Sequence, residues 1–135
     1  MVPARDGLRI RFGDLSILLH RVMHPVPTYC FSVEHRGRRL FYTGDTGYFS
    51  GLVDLAKGAH VILADTGFLN GEKTTDVAPH LTAGEAGRLA SLCGAEQLLC
   101  THIWGGEQRD QVILSEAKAY FPNTLVVEEL HEYII

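Results

Sequence analysis

The first third of the chain alternates short runs of β-type residues with turn residues. Leu8 to Phe12 and Leu15 to Val22 flank Gly13-Asp14, a pair that supplies turn conformations. Tyr29 to Glu34 and Arg39 to Thr43 flank a second, basic turn. The pattern therefore predicts two β-hairpins and an antiparallel sheet at the start of the chain.

From Gly51 onward the spacing changes from strand to helix and back. Leu52, Leu55 and Ala56 recur at helical spacing, and a continuous β-type run follows from His60 to Asp65. A helix between two strands is typical of the crossover that joins parallel strands.

Two further units of the same kind follow. Thr82 and Glu85 form the Thr-x-x-Glu pattern of a capping box, Gly94 is a natural helix stop, and Gln97 to Thr101 is strand-like. The remaining predicted elements are a helix from about Gln111 to Tyr120 and strands at Thr124 to Val127 and Glu132 to Ile135.

These elements predict an α/β (α+β) fold, a mixed sheet with helices on one face. At 135 residues the chain suits a single domain, residues 1–135. A polar residue follows or ends each of three predicted strands, at the carboxyl edge where open α/β sheets hold their chemistry. These residues are Asp45, Asp65 and His102.

Composition and charge narrow the class of protein. Hydrophobic residues make up 46% and charged residues 21%, the balance of a globular protein. A net charge of -4 with scattered basic residues neither supports nor excludes a nucleic-acid partner. No apolar run approaches the roughly 20 residues of a membrane span, and the N-terminus lacks a signal pattern. The three cysteines, far apart and odd in number, fit reduced core thiols, so we expect a cytoplasmic protein without a membrane partner.

Seven histidines raise the question of a metal site. His35, His60 and His131 lie in surroundings that favour solvated side chains. The segment from His20 to His24 has the i, i+4 spacing of helical zinc sites. It lacks the adjacent glutamate and precedes two prolines, so it is not a metalloprotease motif.

Three histidines lie at the ends of predicted elements: His24 closes a strand, His80 precedes a helix and His102 follows a strand. Each alone fits a hydrogen-bonded core or cap histidine as readily as a metal ligand. Together with Asp45 they form a nitrogen and oxygen ligand set that zinc, manganese or iron accepts.

Three segments carry a family resemblance: MHPVPTY, LFYTGDTGYFSGLVDLAKGAHVILADTGF and HLTAGEAGRLASLCGAEQLLCTHI. In this order they resemble the C-terminal half of the metallo-β-lactamase superfamily, most closely its ribonuclease Z and phosphodiesterase branch. The resemblance covers essentially the whole chain. It implies half of an αββα sandwich.

The resemblance also implies a centre that holds divalent metal, with zinc expected and manganese or iron as alternatives. His24 is similar to a ligand of the first metal, Asp45 to the carboxylate that bridges two metals, and His102 to a ligand of the second. His80 is similar to a catalytic histidine that stabilises charge or protonates the leaving oxygen. Asp65 stands where relatives have a glutamate that orients this histidine, and its side chain is shorter.

The family also has a His-x-His-x-Asp-His loop in its N-terminal half. This sequence contains no His-x-His and no Asp-His pair. The residues present would offer each metal about two protein ligands, where tetrahedral zinc uses three or four. We therefore expect the chain alone to be an incompetent hydrolase. We also expect a missing N-terminal half, or self-association into a homo-oligomer, to cover its open sheet face.

Two functions fit this interpretation of the sequence. The first is a metal-dependent hydrolase of a small-molecule phosphoester or similar substrate, and the alternative is a non-catalytic truncated module that acts by self-association. Transfer RNA is less favoured, because the span from His24 to Asp45 is too short for an inserted arm and the first arginine after His102 is Arg109. Trp104 either walls a substrate pocket or simply packs.

Overall fold

The computed structural model describes residues 3–75 and 78–135, which form seven strands and three helices. In chain order these are β1 (Arg9–Phe12), β2 (Leu15–Arg21), β3 (Tyr29–His35), β4 (Arg38–Tyr42), α1 (Gly51–Ala56), β5 (Val61–Asp65), α2 (Ala83–Cys93), β6 (Gln97–Thr101), α3 (Glu107–Lys118) and β7 (Thr124–Val126).

The strands form one mixed sheet in the order β1-β2-β3-β4-β5-β6-β7. Strands β1 to β4 are antiparallel neighbours, and β4 to β7 are parallel neighbours. The predicted hairpins, crossovers and mixed sheet are thus confirmed. Because parallel strands are joined by right-handed crossovers and the strand order is sequential, the three helices lie on the same face.

The core lies between this face and the helices. Ile62 and Leu98, from the two central parallel strands, are fully buried. They belong to one apolar cluster that takes a residue from each helix: Leu52, Leu89 and Ile113. Burial of each large apolar side chain stabilises the fold by about 1.5–3 kcal/mol. This packing fixes the strands and hence the positions of their ends.

The opposite face carries a continuous apolar row, which we call the open face. Strand register aligns its residues from β2 to β7: Ile17, Leu19, Phe31, Val33, Leu40, Tyr42, Leu63, Leu99 and Leu125. Most of these side chains are half-buried, and Leu125 is exposed. Within residues 3–75 and 78–135 no helix covers this face.

The helices follow their sequence signals closely at α2. Thr82 Oγ1 accepts a hydrogen bond from Glu85 N at 3.1 Å, and Glu85 Oε2 accepts one from Thr82 N at 3.0 Å, so the predicted capping box is present. Gly94 ends the helix with a φ of 69°. In the part of the chain that the structure describes, none of the helices has the length and apolar character needed to traverse a lipid bilayer.

The C-terminal region differs from the sequence-based expectation in two places. α3 begins at Glu107 rather than near Gln111, because its polar first turn hides the apolar periodicity. Residues 132–135 form no strand. Leu130 adopts a φ of 61°, in the left-handed region, and Ile135 ends beside side chains of β3 and β4.

Candidate metal and catalytic site

The carboxyl ends of β4, β5 and β6 lie side by side at one edge of the sheet. Asp65 ends β5 and pairs in register with Thr101, the last residue of β6. His102 follows directly, and Asp45 lies just beyond β4. The Oδ2 atom of Asp45 is 3.7 Å from Nε2 of His102. The structure therefore brings together two residues that the sequence predicted as metal ligands.

His24 reaches the same edge from the loop between β2 and β3. Its ring centroid lies 5.9 Å from that of His80, which in turn lies 5.2 Å from that of His102. The Nδ1 atom of His24 accepts a hydrogen bond from Val26 N at 3.4 Å, which leaves Nε2 as the nitrogen available to a ligand. All the predicted site histidines thus share one cluster.

Glycines shape the loop that presents Asp45. Gly44 has a φ of 64°, and a Cβ atom there would lie 2.6 Å from the Tyr29 carbonyl oxygen. A Cβ atom on Gly47 would lie 2.1 Å from the Ala78 carbonyl oxygen. Side chains at either position would displace backbone, so the loop needs glycine on both sides of the acid.

Thr46 joins this loop to the one that carries His24. Its Oγ1 atom accepts a hydrogen bond from Met23 N at 3.2 Å, and Gly47 N donates to Met23 O at 3.0 Å. Thr46 is fully buried. The two loops are therefore held to each other next to their candidate ligands.

Asp65 and His80 form a tight pair. Asp65 is fully buried, and its Oδ2 atom lies 2.7 Å from His80 Nδ1. Gly67 N donates to Asp65 Oδ1 at 3.0 Å, and Thr46 N donates to Oδ2 at 3.3 Å. Burial raises the pKa of Asp65, and the hydrogen bonds from His80 and Gly67 oppose that rise.

This pair fixes the orientation of the imidazole. An ionised carboxylate only accepts hydrogen bonds, so Nδ1 of His80 is the donor and Nε2 remains for other chemistry. The shorter side chain of Asp65 therefore still reaches His80. The geometry fits the orienting role that the sequence predicts for Asp65, and that role stays a prediction.

His102 holds a backbone conformation that is unusual for its residue type. Its φ is 59°, in the left-handed region where a side chain adds strain. Such strain persists when the surrounding structure enforces it, and it concentrates at functional sites. The sequence carried no signal for this conformation.

Aromatic side chains wall one side of the cluster. The Trp104 ring packs edge to face against His80 and His102, with centroids 5.3 and 5.6 Å away, and against Phe68 at 6.2 Å. Trp104 is 48% exposed, so it packs and also presents ring surface to solvent. The sequence left both interpretations open, whereas Phe68 was not singled out at all.

Asp45 and His102 are spaced as two ligands of one divalent metal, whereas His24 joins no group of three donors within 4.8 Å of one another among the described residues. Two ligands of a tetrahedral zinc ion lie about 3.4 Å apart when each is about 2.1 Å from the ion, close to the separation of Asp45 and His102. Ligand atoms of Asp65, His80 and His102 also lie within 4.8 Å of one another. The Asp65–His80 separation of 2.7 Å is that of a hydrogen bond, which favours Asp65 as an orienting group over a ligand.

Comparisons with known proteins identify the family of the chain. Residues 2–103 match the family model of the beta-lactamase superfamily domain. An uncharacterized protein of Mycobacterium leprae is 40% identical over 119 residues, which are 86% of this chain and 40% of that protein. Ribonuclease Z of Methanothermobacter thermautotrophicus is 30% identical over 125 residues, which are 92% of this chain and 38% of that enzyme.

A solved structure matches the fold. The metallo-beta-lactamase fold protein YhfI of Bacillus subtilis superposes with a TM-score of 0.82 at 23% identity, over 94% of this chain and 52% of that chain. The fold is thus that of a metallo-β-lactamase domain. The chain belongs to the metallo-β-lactamase superfamily, and membership implies divalent metal binding. It spans about two fifths of the length of the curated relatives it matches.

Proposed function

We propose that this chain is the portion of a phosphodiesterase-type hydrolase that supplies His24, Asp45 and His102 to a divalent metal centre, zinc in the first place. The observation that carries the proposal is the 3.7 Å approach of Asp45 Oδ2 to His102 Nε2 inside a cluster of histidines. Similarity to ribonuclease Z supports a phosphodiester bond as the target.

When bound, the metal would supply Lewis-acid stabilisation of phosphoryl charge and activation of water. Side chains of the protein would carry out the proton transfer and the positioning of the substrate. Asp65 accepts a hydrogen bond from Nδ1 of His80 and so keeps Nε2 available for proton transfer. From Nε2, His80 then delivers a proton to the leaving oxygen. Trp104 limits the space beside that oxygen.

The test joins metal analysis with an activity assay. We expect zinc or manganese to bind the purified chain weakly. We expect hydrolysis of bis(p-nitrophenyl) phosphate only where the chain is joined to a segment that supplies His-x-His-x-Asp-His. Less than about a tenth of an equivalent of metal after supplementation would contradict a metal centre in this chain.

The open face favours a second function, that of a non-catalytic module acting by self-association. A second copy is the occupant to test, because two identical apolar rows are complementary in chemistry and symmetric pairing reuses one surface. Light scattering after size-exclusion chromatography should show dimers. A Phe31→Glu change on the open face should yield monomers, whereas Leu92→Glu on the helix side should not.

A monomer at high concentration would exclude self-association by the unmodified chain. Retained dimers in Phe31→Glu would instead place the contact elsewhere. Both outcomes are independent of metal content, so the hydrolase and the association proposals fail separately.

A further inference from the structure

Arg109, in the first turn of α3, reaches back to the loop that follows β5. Its Nη2 atom donates to Gly67 O at 2.9 Å, and Nη1 and Nη2 donate to the carboxylate of Glu72 at 2.8 and 2.5 Å. Glu72 Oε2 in turn accepts from Leu69 N at 2.8 Å. The planar guanidinium thus clamps residues 67–72 through several directed bonds.

Gly67 connects this clamp to the candidate site. Its N–H donates to Asp65 Oδ1 at 3.0 Å, while its carbonyl accepts from Arg109. A Cβ atom at Gly67 would lie 2.6 Å from a Trp104 ring atom and 3.1 Å from Cγ of His80. The position of Gly67 therefore affects Asp65 directly. Its lack of a side chain also leaves space for the rings of Trp104 and His80.

One nitrogen of the clamp lacks a partner among the described residues, although the ion pair itself is stabilising. Nε of Arg109 is buried and finds no hydrogen-bond partner among residues 3–75 and 78–135, an unfavourable arrangement. The guanidinium also keeps Glu72 ionised, since Arg109 lowers the pKa of that carboxyl to about 2. The ion pair is therefore in place at neutral pH.

The same loop has other anchors. Asn70 N donates to Glu116 Oε2 at 2.7 Å, and Asn70 Oδ1 accepts from Gly84 N at 2.8 Å. These bonds hold the loop to α3 and α2 without Arg109. The residues on either side of Gly67 are also held, because Thr66 N donates to Thr101 O at 3.0 Å and Phe68 N donates to Leu81 O at 3.2 Å. Loss of the guanidinium should therefore free the Gly67 carbonyl and let its peptide reorient, while the loop stays attached.

We propose that Arg109 is a positioning residue, which acts through Gly67 to hold the Asp65 carboxylate against His80. The inference rests on the proposed function, in which His80 serves the leaving oxygen. Arg109 itself touches neither substrate nor metal in this scheme. Its effect is on the orientation and tautomer of the imidazole.

The test reads the His80 ring in metal-free protein. Proton and nitrogen NMR of labelled chain, in the presence of a chelator, should show the Nδ1–H of His80 protected by Asp65. In Arg109→Ala that hydrogen should exchange with water at least about tenfold faster, as local opening predicts. Arg109→Lys should restore part of the protection, because a cation that can reach Gly67 O remains.

Arg88→Ala is the matched control. Arg88 lies on α2 and donates to Tyr120 Oη at 2.8 Å, and it makes no hydrogen bond to Gly67 or Glu72, so its loss removes the same charge and leaves the bonds of the clamp in place. We expect no change in the His80 resonance. If Arg109→Ala is too unstable to study, Glu72→Gln weakens the same clamp and should also speed the exchange.

Unchanged exchange at His80 in every clamp variant, with only a lower melting temperature, would overturn the inference and leave Arg109 as a loop staple. The readout needs neither metal nor substrate. Absence of hydrolysis would therefore count against the proposed function and not against this inference, and the reverse also holds.

Discussion

Asp45 and His102 approach within 3.7 Å, Oδ2 to Nε2, although the whole of β5 lies between the strands that carry them. The intervening strand ends on Asp65, which is buried and holds His80. Three consecutive parallel strands thus deliver the candidate ligands and the proton-handling pair to one edge. The arrangement follows from sheet register, because β5 and β6 end in register at Asp65 and Thr101, and β4 ends beside them at Tyr42, opposite Leu63.

Removal of the carboxylate should weaken metal binding. In Asp45→Ala we expect zinc affinity, measured by isothermal titration calorimetry, to fall by about tenfold or more, since a ligand contributes at least as much as the groups that support ligands. His131→Ala removes a histidine from the C-terminal segment and serves as control. Equal affinities in the two variants would show that Asp45 is not a ligand.

Glycine at position 44 should contribute to the stability of the fold as well as to the shape of the site. Gly44→Ala places a side chain at a φ of 64° and against the Tyr29 carbonyl oxygen, so the free energy of unfolding should fall by about 1–3 kcal/mol. Urea denaturation measures the change. Gly71→Ala, where a Cβ atom meets nothing within 4 Å, should stay within about 0.5 kcal/mol of the parent.

The Arg109–Glu72 ion pair predicts a pH dependence of stability. Arg109 depresses the folded-state pKa of Glu72 to about 2, below its ordinary value of 4.5. The pair's contribution is therefore complete above pH 4.5 and is lost as the pH falls through about 2.

Melting temperatures of the parent and of Glu72→Gln should accordingly differ at pH 7 and converge in strong acid. Glu72 is partly exposed, so added salt should reduce the difference at pH 7. A difference that persists unchanged at the lowest pH would indicate that Glu72 acts through packing and not through its charge.

The cysteines should be inert in the folded protein. Burial raises the thiol pKa to about 11 for Cys30 and Cys93 and to about 12 for Cys100. Thiolate is the reactive form, so a colourimetric thiol reagent should label none of them at pH 8 in buffer and all of them in denaturant. Rapid labelling of the native chain would contradict the buried positions.

Sequence patterns predicted much of the fold because they reflect interactions between residues that are close in the chain. Each of the signals that succeeded involves residues that are close in sequence. They are the Thr82–Glu85 capping box, the helix end at Gly94 and the turn residues between the hairpin strands. Strand ends followed by polar residues then placed Asp45 and His102 at one edge, where register brings them together.

Other features depend on contacts between distant segments. Three such features produce no recognisable sequence pattern. They are the left-handed backbone of His102, the edge-to-face packing of Phe68 with Trp104, and the hydrogen bond from Arg109 to Gly67. The chain end shows the same limit. Residues 132–135 have β-type composition, yet they pair with none of the seven strands, because strand formation depends on pairing and packing as well as on composition.

The buried hydroxyl of Thr46 links two loops through Met23, one bearing His24 and the other Asp45. Folding therefore restricts both loops before any ion arrives. The donor side chains are therefore already ordered when a cation binds, and binding does not have to order the loops. The affinity for the cation then depends mainly on its coordination chemistry.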